Sequence, residues 1–172
     1  MSSFETTFNR TIGHEGKFQA NPKDRGNWTG GKEGVGELKG TKWGLAAMTY
    51  PHLDIANITL EQAKEIYFND WWLELKMEYW PNVMKYQLFD AAFNHGTGRA
   101  NQFLQYAVKT VEDGKIGPKT MAAAIAMDPN DIVMRFLAKR LRYFTEVKTW
   151  AEFSRGWSLR VAQCLEYAAE DN

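Results

Sequence analysis

The chain has 172 residues, which is enough for one compact domain or for two small ones that share a core. Its 21 Lys and Arg residues balance its 21 Asp and Glu residues, so the total charge provides no attraction toward nucleic acid. Hydrophobic residues make up 44% of the chain and aromatic residues 14%, and the single cysteine, Cys164, excludes an internal disulfide.

The first predicted element is an amphipathic helix near the N-terminus. Ser2 or Ser3 can cap it, and Gly16 is placed to end it. Its apolar stripe repeats every four residues and consists of Phe4, Phe8 and Ile12.

Glu15 lies three positions after Ile12, which predicts a place on the apolar side of this helix, at its last turn. Partial burial disfavours a carboxylate and raises its pKa, and the negative end of the helix dipole acts in the same direction. A carboxylic acid that stays protonated near neutral pH can donate a proton to a glycosidic oxygen. The same position also suits a glutamate that makes only a structural hydrogen bond or a capping contact.

A glycine-rich stretch follows, with nine of the 14 glycines between Gly13 and Gly44. Residues 27–36 cannot hold a helix at that glycine density, and they predict a loop with a short hairpin. A disordered linker is the alternative, but four apolar side chains in this region favour burial and order. They are Trp28, Val35, Leu38 and Trp43.

A second carboxylate, Asp24, lies in the loop that residues 21–26 form. Glycoside hydrolysis uses an ionised carboxylate across a cleft from a protonated one. One acid donates the proton, and the other activates water or stabilises the oxocarbenium-like centre. The alternative for Asp24 is an Asx-turn, which is common in loops that contain proline and glycine.

The remaining elements are predicted to be helices. A helical pattern resumes at Trp43 and is broken by Pro51, and a capping box at Thr59 and Gln62 begins a helix that Pro81 stops. Cys164 lies on a later apolar stripe, which predicts a buried and inert thiol. The further predicted helices cover about residues 83–95, 99–110, 118–127, 129–147 (with Asp128 as cap) and 154–169.

The chain has no pattern typical of a metal site or of another cofactor. Its three histidines are scattered, and residues 113–115 are followed by too few acidic residues for a calcium loop. Asn94 and His95 suit either a helix C-terminus or a substrate cleft, since an Asn amide can bind the acetamide group of a sugar. Trp71 belongs to a group of aromatic residues too large for one helix face to bury, so it suits the core or a sugar-stacking wall.

Two sets of motifs occur in order along nearly the whole chain. The first consists of His-Glu-Gly at residues 14–16, Asn-Pro-Lys-Asp-Arg-Gly at residues 21–26 and Gly-Thr-Lys-Trp-Gly-Leu at residues 40–45. It resembles the glycoside hydrolase family 108 muramidases, a family that includes phage endolysins and bacterial lysozyme-like secretion proteins. The second set resembles the peptidoglycan-binding module that usually follows, and it covers residues 88–96, 103–105, 113–120 and 156–161.

The resemblance implies a mainly α, lysozyme-like α+β fold, in which a helical bundle carries a small glycine-rich β-hairpin on one side of a cleft. It divides the chain into a catalytic segment, residues 1–85, and a peptidoglycan-binding helical segment, residues 86–172, packed into one body. The implied reaction is hydrolysis of the β-1,4 bond between N-acetylmuramic acid and N-acetylglucosamine in bacterial peptidoglycan, with neither a cofactor nor a metal.

The resemblance also implies which residues act. Glu15 matches the catalytic glutamate, and Asp24 matches the aspartate that follows it. The third catalytic residue is Thr29, which has the expected spacing, or Thr41, which has the expected sequence context. Residues 30–40 are additional to the shorter family pattern. The expected substrate-binding residues are Trp43, Asn94, His95 and Trp71.

Two other functions fit the same motifs. A lytic transglycosylase would cleave the same bond without water, and a wall-binding or secretion-assisting protein would bind peptidoglycan without turnover. We expect a monomer that binds glycan strands and no nucleic acid, without stable membrane insertion, because no apolar run is long enough to span a bilayer. The N-terminus predicts no signal peptide, so release from the bacterial cytoplasm by a holin or another route would precede action in the periplasm or cell wall.

Overall fold

The computed structural model describes residues 3–13 and 16–172. Within these ranges, seven α-helices and one two-stranded antiparallel sheet form the regular structure. Contacts divide the chain into two units, which we call the loop unit, Phe8–Asp70, and the helical unit, Met1–Thr7 with Trp71–Asn172. The predicted division into segments 1–85 and 86–172 concerns function, and it stays a prediction. The residues outside the description are Met1, Ser2, His14 and Glu15.

The first helix, α1 (Phe4–Thr11), is capped by Ser3, whose Oγ accepts a hydrogen bond from an amide of the first turn at 3.2 Å. The other predicted cap, Ser2, lies outside the described residues. Gly16 does not end the helix as predicted. Helix α1 ends at Thr11, and the amides of Ile12 and Gly13 still donate to the carbonyls four positions back. The low helix propensity of Gly13 favours an end near this point.

The glycine-rich loop is ordered and folds back on itself. Trp28 and Leu38 form an antiparallel bridge, and inside it the Thr29 amide donates to the Glu37 carbonyl at 3.0 Å. The stretch is therefore neither a helix nor a disordered linker. Val35 and Leu38, which were expected to be buried, are 48% and 39% exposed, because backbone hydrogen bonds and not apolar contacts hold this loop.

A two-residue hairpin follows the glycine-rich loop. Strands β1 (Thr41–Lys42) and β2 (Leu45–Ala46) pair antiparallel across Trp43 and Gly44. Both turn residues have positive φ, 53° and 76°, as a type I′ turn requires. The helix predicted from Trp43 to Pro51 is therefore wrong, because pairing of β1 with β2 satisfies backbone groups that a helix would have bonded internally.

The next helix, α2 (Leu60–Tyr67), begins at the predicted capping box. The Gln62 amide donates to Thr59 Oγ1 at 3.2 Å, and Gln62 Oε1 accepts from the Thr59 amide at 2.9 Å. The helix does not continue to Pro81 as predicted, because the chain turns through a left-handed conformation at Lys76, where φ is 53°. The segments that replace it are a π-helical stretch, Phe68–Leu73, and a 3-10 turn, Met77–Tyr79.

The helical unit is built around one central helix. Its five helices are α3 (Asn82–His95), α4 (Thr97–Ala107), α5 (Pro118–Ile125), α6 (Pro129–Glu146) and α7 (Trp150–Asp171). Helix α3 is buried along most of its length and contacts α4, α6 and α7. Gly96, with φ at 80°, ends α3, and Asp128 caps α6, both as predicted. Cys164 is buried on α7, also as predicted.

Candidate active site

Glu15, the predicted proton donor, lies outside the described residues, but the residue that follows it is tightly packed. A Cβ at Gly16 would overlap Cζ3 and Cη2 of the Trp43 indole. No side chain larger than hydrogen therefore fits at Gly16 unless the indole moves. Trp43 thus packs against the backbone immediately after Glu15.

Contacts of both its backbone and its ring hold Trp43 in place. Its carbonyl accepts a hydrogen bond from the Tyr67 hydroxyl at 3.1 Å. Burial raises the pKa of Tyr67 far above its ordinary value, so this hydroxyl stays protonated and remains a donor. The Trp43 Nε1 is buried and has no hydrogen-bond partner in the described part of the chain. Its predicted contact with substrate stays a prediction.

Asn27 is the centre of a polar network in the loop unit. Its side chain is fully buried and uses all four of its hydrogen-bonding positions. Its Nδ2 donates to Gln19 Oε1 at 2.8 Å and to the Asn21 carbonyl at 3.0 Å. Its Oδ1 accepts from Thr41 Oγ1 at 2.7 Å and from Gln19 Nε2 at 3.1 Å. One buried amide therefore joins the segment of residues 19–21 to strand β1.

Asp24 is exposed and joins this network at its edge. Its Oδ1 accepts a hydrogen bond from the Gly26 amide at 2.9 Å, which caps the 3-10 turn Arg25–Asn27. Its Oδ2 accepts from Gln19 Nε2 at 3.4 Å. The Asx-type contact that the sequence suggested is therefore present, and it orients the carboxylate while leaving it open to solvent.

The two candidate threonines have different surroundings. Thr41 lies on β1, and its hydroxyl donates to the same Asn27 oxygen that Gln19 binds, so Thr41 and Asp24 belong to one network. Thr29 Oγ1 instead accepts from the Glu37 amide at 2.9 Å and stabilises the glycine-rich loop. No hydrogen bond between Thr29 and Asp24 occurs among the described residues.

In the helical unit, Asn94 and His95 occupy the last turn of α3. The Asn94 Nδ2 donates to the Asp90 carbonyl at 2.7 Å, and its Oδ1 has no partner within residues 16–172. Arg140 Nε donates to His95 Nε2 at 3.2 Å, so the imidazole carries its proton on Nδ1. Burial, followed by the charge of Arg140, lowers the pKa of His95 to about 3 and keeps the ring neutral.

Asn94 and His95 line a cavity of about 170 Å³ with an aromatic wall. In this wall the Phe144 and Trp157 rings stack at 4.7 Å with an angle of 16° between their planes. Trp71, the remaining predicted sugar contact, does not line this cavity. It packs at 5.9 Å from Phe89 and at 6.2 Å from Phe93, and its sugar-stacking role stays a prediction.

A buried ionic cluster, which was not predicted from the sequence, lies beneath these residues. Asp90 is fully buried, and its two oxygens accept from Arg140 Nη1 at 2.6 Å and from Arg160 Nη1 at 2.5 Å. Burial, followed by the Asp90 charge, raises the pKa of the Cys164 thiol to about 12, which makes the thiol inert. The sequence carried one signal for this cluster, a single acid within the apolar run of residues 88–92.

Two kinds of feature are missing from residues 3–13 and 16–172. No group of three or more histidine, cysteine, aspartate or glutamate side chains there could hold a metal ion. None of the helices in these ranges combines the length and the apolarity needed to cross a membrane.

Comparison with known proteins identifies the family of the chain and a solved structure with a similar fold. The family model described as Glycosyl hydrolase 108 matches residues 8–96, which is more than half of the chain. Among solved structures, the chain is similar to Brucella abortus SagA, with a TM-score of 0.81 and 25% sequence identity, over 98% of this chain and 94% of that chain. No curated protein matches the sequence. The mainly α, lysozyme-like fold expected from the sequence is thereby confirmed.

Proposed function

The chain belongs to the glycosyl hydrolase 108 family, and from this premise we propose that it is a muramidase. Its substrate would be bacterial peptidoglycan, and the bond cleaved would be the β-1,4 bond between N-acetylmuramic acid and N-acetylglucosamine. The observation that carries the proposal is the network in the loop unit. It ties an exposed carboxylate, Asp24, to a hydroxyl, Thr41, within the stretch of chain that begins just after Glu15.

In the proposed reaction Glu15 protonates the glycosidic oxygen as the bond breaks. Asp24 then takes the proton of the attacking water, so that the charge of the two acids is exchanged and no cofactor is needed. Gln19 and the Gly26 amide hold Asp24 by one hydrogen bond to each oxygen. The remaining lone pairs of the carboxylate face solvent, where a water molecule can bind.

Thr41 is the better candidate for the third residue because of its hydrogen-bond polarity. Its single proton is donated to Asn27, so its oxygen offers lone pairs to the second hydrogen of a water molecule. Thr29 shares its oxygen with the Glu37 amide and is tied to a different loop. We therefore assign the water-orienting role to Thr41 and a loop-stabilising role to Thr29.

The helical unit offers a second part of the proposed function, recognition of N-acetyl groups. An acetamide has one N–H donor and one carbonyl acceptor. Asn94 Oδ1 can accept from that N–H, and the His95 Nδ1–H can donate to that carbonyl, while the Phe144 and Trp157 rings suit the methyl group. This chemistry supports the proposal that residues 86–172 bind peptidoglycan. N-deacetylated peptidoglycan should then bind the Asn94→Ala variant and the unaltered protein equally.

The test of the catalytic proposal is the release of reducing sugars from purified peptidoglycan by three proteins: the unaltered chain, Glu15→Gln and Asp24→Asn. Glu15→Gln preserves shape and removes the transferable proton, so we expect its rate to fall about 100-fold or more. Asp24→Asn removes the carboxylate that accepts a proton from the attacking water, so we expect this variant to lose a large part of the activity.

A matched control is Asp54→Asn, which alters another exposed carboxylate of the loop unit and should leave the rate unchanged. Rates for Glu15→Gln that equal those of the unaltered chain would refute the assignment. Binding to peptidoglycan without any release of fragments would favour a wall-binding or secretion-assisting protein. We place the activity in the periplasm or cell wall, because the proposed substrate lies there.

A further inference from the structure

A second cavity in the described part of the helical unit lies away from Asn94 and His95. Its volume is about 690 Å³, within the range of sites that bind small molecules and short peptides. It lies where α4 ends, where the following loop turns back and where α5 begins. The lining residues used below are Gln105, Lys109, Val111, Lys115, Lys119 and Thr120. We call it the lysine cavity.

The lysine cavity is positively charged. Lys109, Lys115 and Lys119 are all exposed around it. Asp113 is the one carboxylate that lines it, and hydrogen bonds from Gln105 and from the Lys115 amide lower the pKa of that carboxyl, so it is ionised. Lys109 and Lys119 have no ion-pair partner within the described residues. The lining therefore has an excess of two positive charges.

The start of α5 adds unpaired donors to the same cavity. Its N-cap residue, Gly117, has no side chain that could cap it, and its first turn contains Lys119 and no acid. By contrast, α6 starts with the capping carboxylate of Asp128. A lysine at the positive end of a helix is electrostatically unfavourable unless an anion binds beside it.

Thr120 supplies a buried donor beside these lysines. Its side chain is 3% exposed, its oxygen accepts from Gln105 Nε2 at 3.5 Å, and its hydroxyl proton has no acceptor among residues 16–172. The amides of Lys119 and Thr120 likewise have no acceptor there. Five donors of three kinds therefore line one cavity: two ammonium groups without counterions, two helix amides and one buried hydroxyl. An anionic ligand would satisfy them.

Hydrogen bonds fix the loop that lines the cavity, and part of the lining is apolar. Gln105 is 1% exposed and fixes the loop, because it accepts from the Gly114 amide at 2.7 Å and donates to the Lys115 carbonyl at 3.0 Å. Val111 is 79% exposed beside the lysines. A phosphate or another small inorganic anion would leave this apolar surface in water, whereas an acidic peptide with methyl side chains would cover it.

We propose that the lysine cavity binds a short acidic peptide, namely the stem peptide of peptidoglycan, through its carboxylates and its alanine methyl groups. The choice of this peptide rests on the proposed function, because stem peptides are attached to the N-acetylmuramic acid residues of the proposed substrate. The carboxylates bind to Lys109, Lys119 and the α5 amides, and a methyl group packs on Val111. The helical unit thereby recognises the peptide as well as the sugar of the wall.

The experiment measures co-sedimentation of the full chain with insoluble peptidoglycan, in a Glu15→Gln background so that the wall stays intact. The variant is Lys109→Gln combined with Lys119→Gln, and the charge-matched control is Lys76→Gln combined with Lys148→Gln, two exposed lysines outside the cavity. Loss of two charge-assisted contacts should weaken binding about tenfold in the first variant and leave the control unchanged. Thermal unfolding checks that both remain folded.

Two further arms identify the ligand. On glycan strands stripped of peptide by an amidase, the cavity variant and its parent should bind equally. A soluble stem peptide should compete with binding to the intact wall, and inorganic phosphate at the same concentration should not. The proposal is overturned if the cavity variant binds the intact wall as tightly as its parent. It is also overturned if the variant loses as much affinity for stripped strands as for the intact wall, or if phosphate competes as well as the peptide. Hydrolysis is assayed separately, so lysine-dependent binding without hydrolysis would refute the muramidase proposal alone.

Discussion

The two units of the molecule organise their polar groups in opposite ways. In the loop unit a neutral amide, Asn27, is buried, and the carboxylate of Asp24 stays in solvent. In the helical unit a carboxylate, Asp90, is buried and two arginines neutralise it. A carboxylate exchanges protons with substrate only where substrate can reach it, so the comparison favours Asp24 for chemistry and Asp90 for structure.

Removal of the buried charge should have the largest effect. In Asp90→Asn the Arg140 side chain stays fully buried and loses its countercharge, so we expect the free energy of unfolding to fall by about 3–5 kcal/mol. Denaturant unfolding of the full chain measures this. The control is Asp131→Asn, an exposed carboxylate in the first turn of α6, which should cost about 1 kcal/mol or less. Equal losses in the two variants would mean that Asp90 is not an anchor.

Removal of the buried Asn27 side chain should have the second largest effect. Asn27→Ala deletes four hydrogen bonds, of which two are to the Gln19 side chain and one is to the Thr41 hydroxyl, so we expect a loss of about 2 kcal/mol in unfolding free energy. We also expect kcat to fall about tenfold, because Gln19, one of the two groups that hold Asp24, loses its contacts with Asn27. The comparison variant is Asn57→Ala, whose side chain bonds only to the exposed Asp54. Full activity of Asn27→Ala at a temperature where it is folded would contradict the proposed role of the network.

The two threonines sharpen the same comparison within the loop unit. Thr41→Val keeps the shape of the side chain and removes the oxygen that we assign to the attacking water, so we expect kcat to fall about tenfold with little change in KM. Thr29→Val should leave kcat nearly unchanged and slightly lower the thermal midpoint, because its oxygen bonds within its own loop. The reverse order of effects would assign the third catalytic position to Thr29.

The last expected effect is a pH dependence of the helical unit, which is confined to acidic pH and is absent near neutral pH. The pKa of His95 is lowered to about 3 in the folded chain, from an ordinary value of 6.5, so the unfolded chain binds more protons between these values. Stability should therefore fall as pH drops from about 6.5 toward 3, and His95 should contribute no slope above that window. His95→Gln keeps an acceptor for Arg140 and should flatten the dependence, whereas the exposed His52→Gln should not. Identical slopes in the two variants would count against a buried neutral imidazole.

Local signals in the sequence predicted most of the helices. The capping box at Thr59, the cap at Asp128 and the glycine at Gly96 each act within one turn of chain, and each is present in the structure. The helix expected after Trp43 was wrong because the positive φ of that residue depends on pairing between strands, which an apolar pattern does not encode.

The site was harder to predict than the fold. Motif spacing gave Asp24 and Thr41 as candidates, but the amide that joins them, Asn27, has no signal of its own in the sequence. Asp90 could not be identified as an anchor, because its arginine partners lie 50 and 70 residues further along the chain. Glu15 was selected from its place on the first apolar stripe and from the family motif, and its role stays a prediction.

The most direct test of the account is mass spectrometry of the fragments that the unaltered chain and Glu15→Gln release from purified peptidoglycan. The account predicts fragments with hydrated, reducing N-acetylmuramic acid ends from the unaltered chain and almost none from Glu15→Gln. Anhydro ends, or reducing N-acetylglucosamine ends, or undiminished release by Glu15→Gln would contradict it.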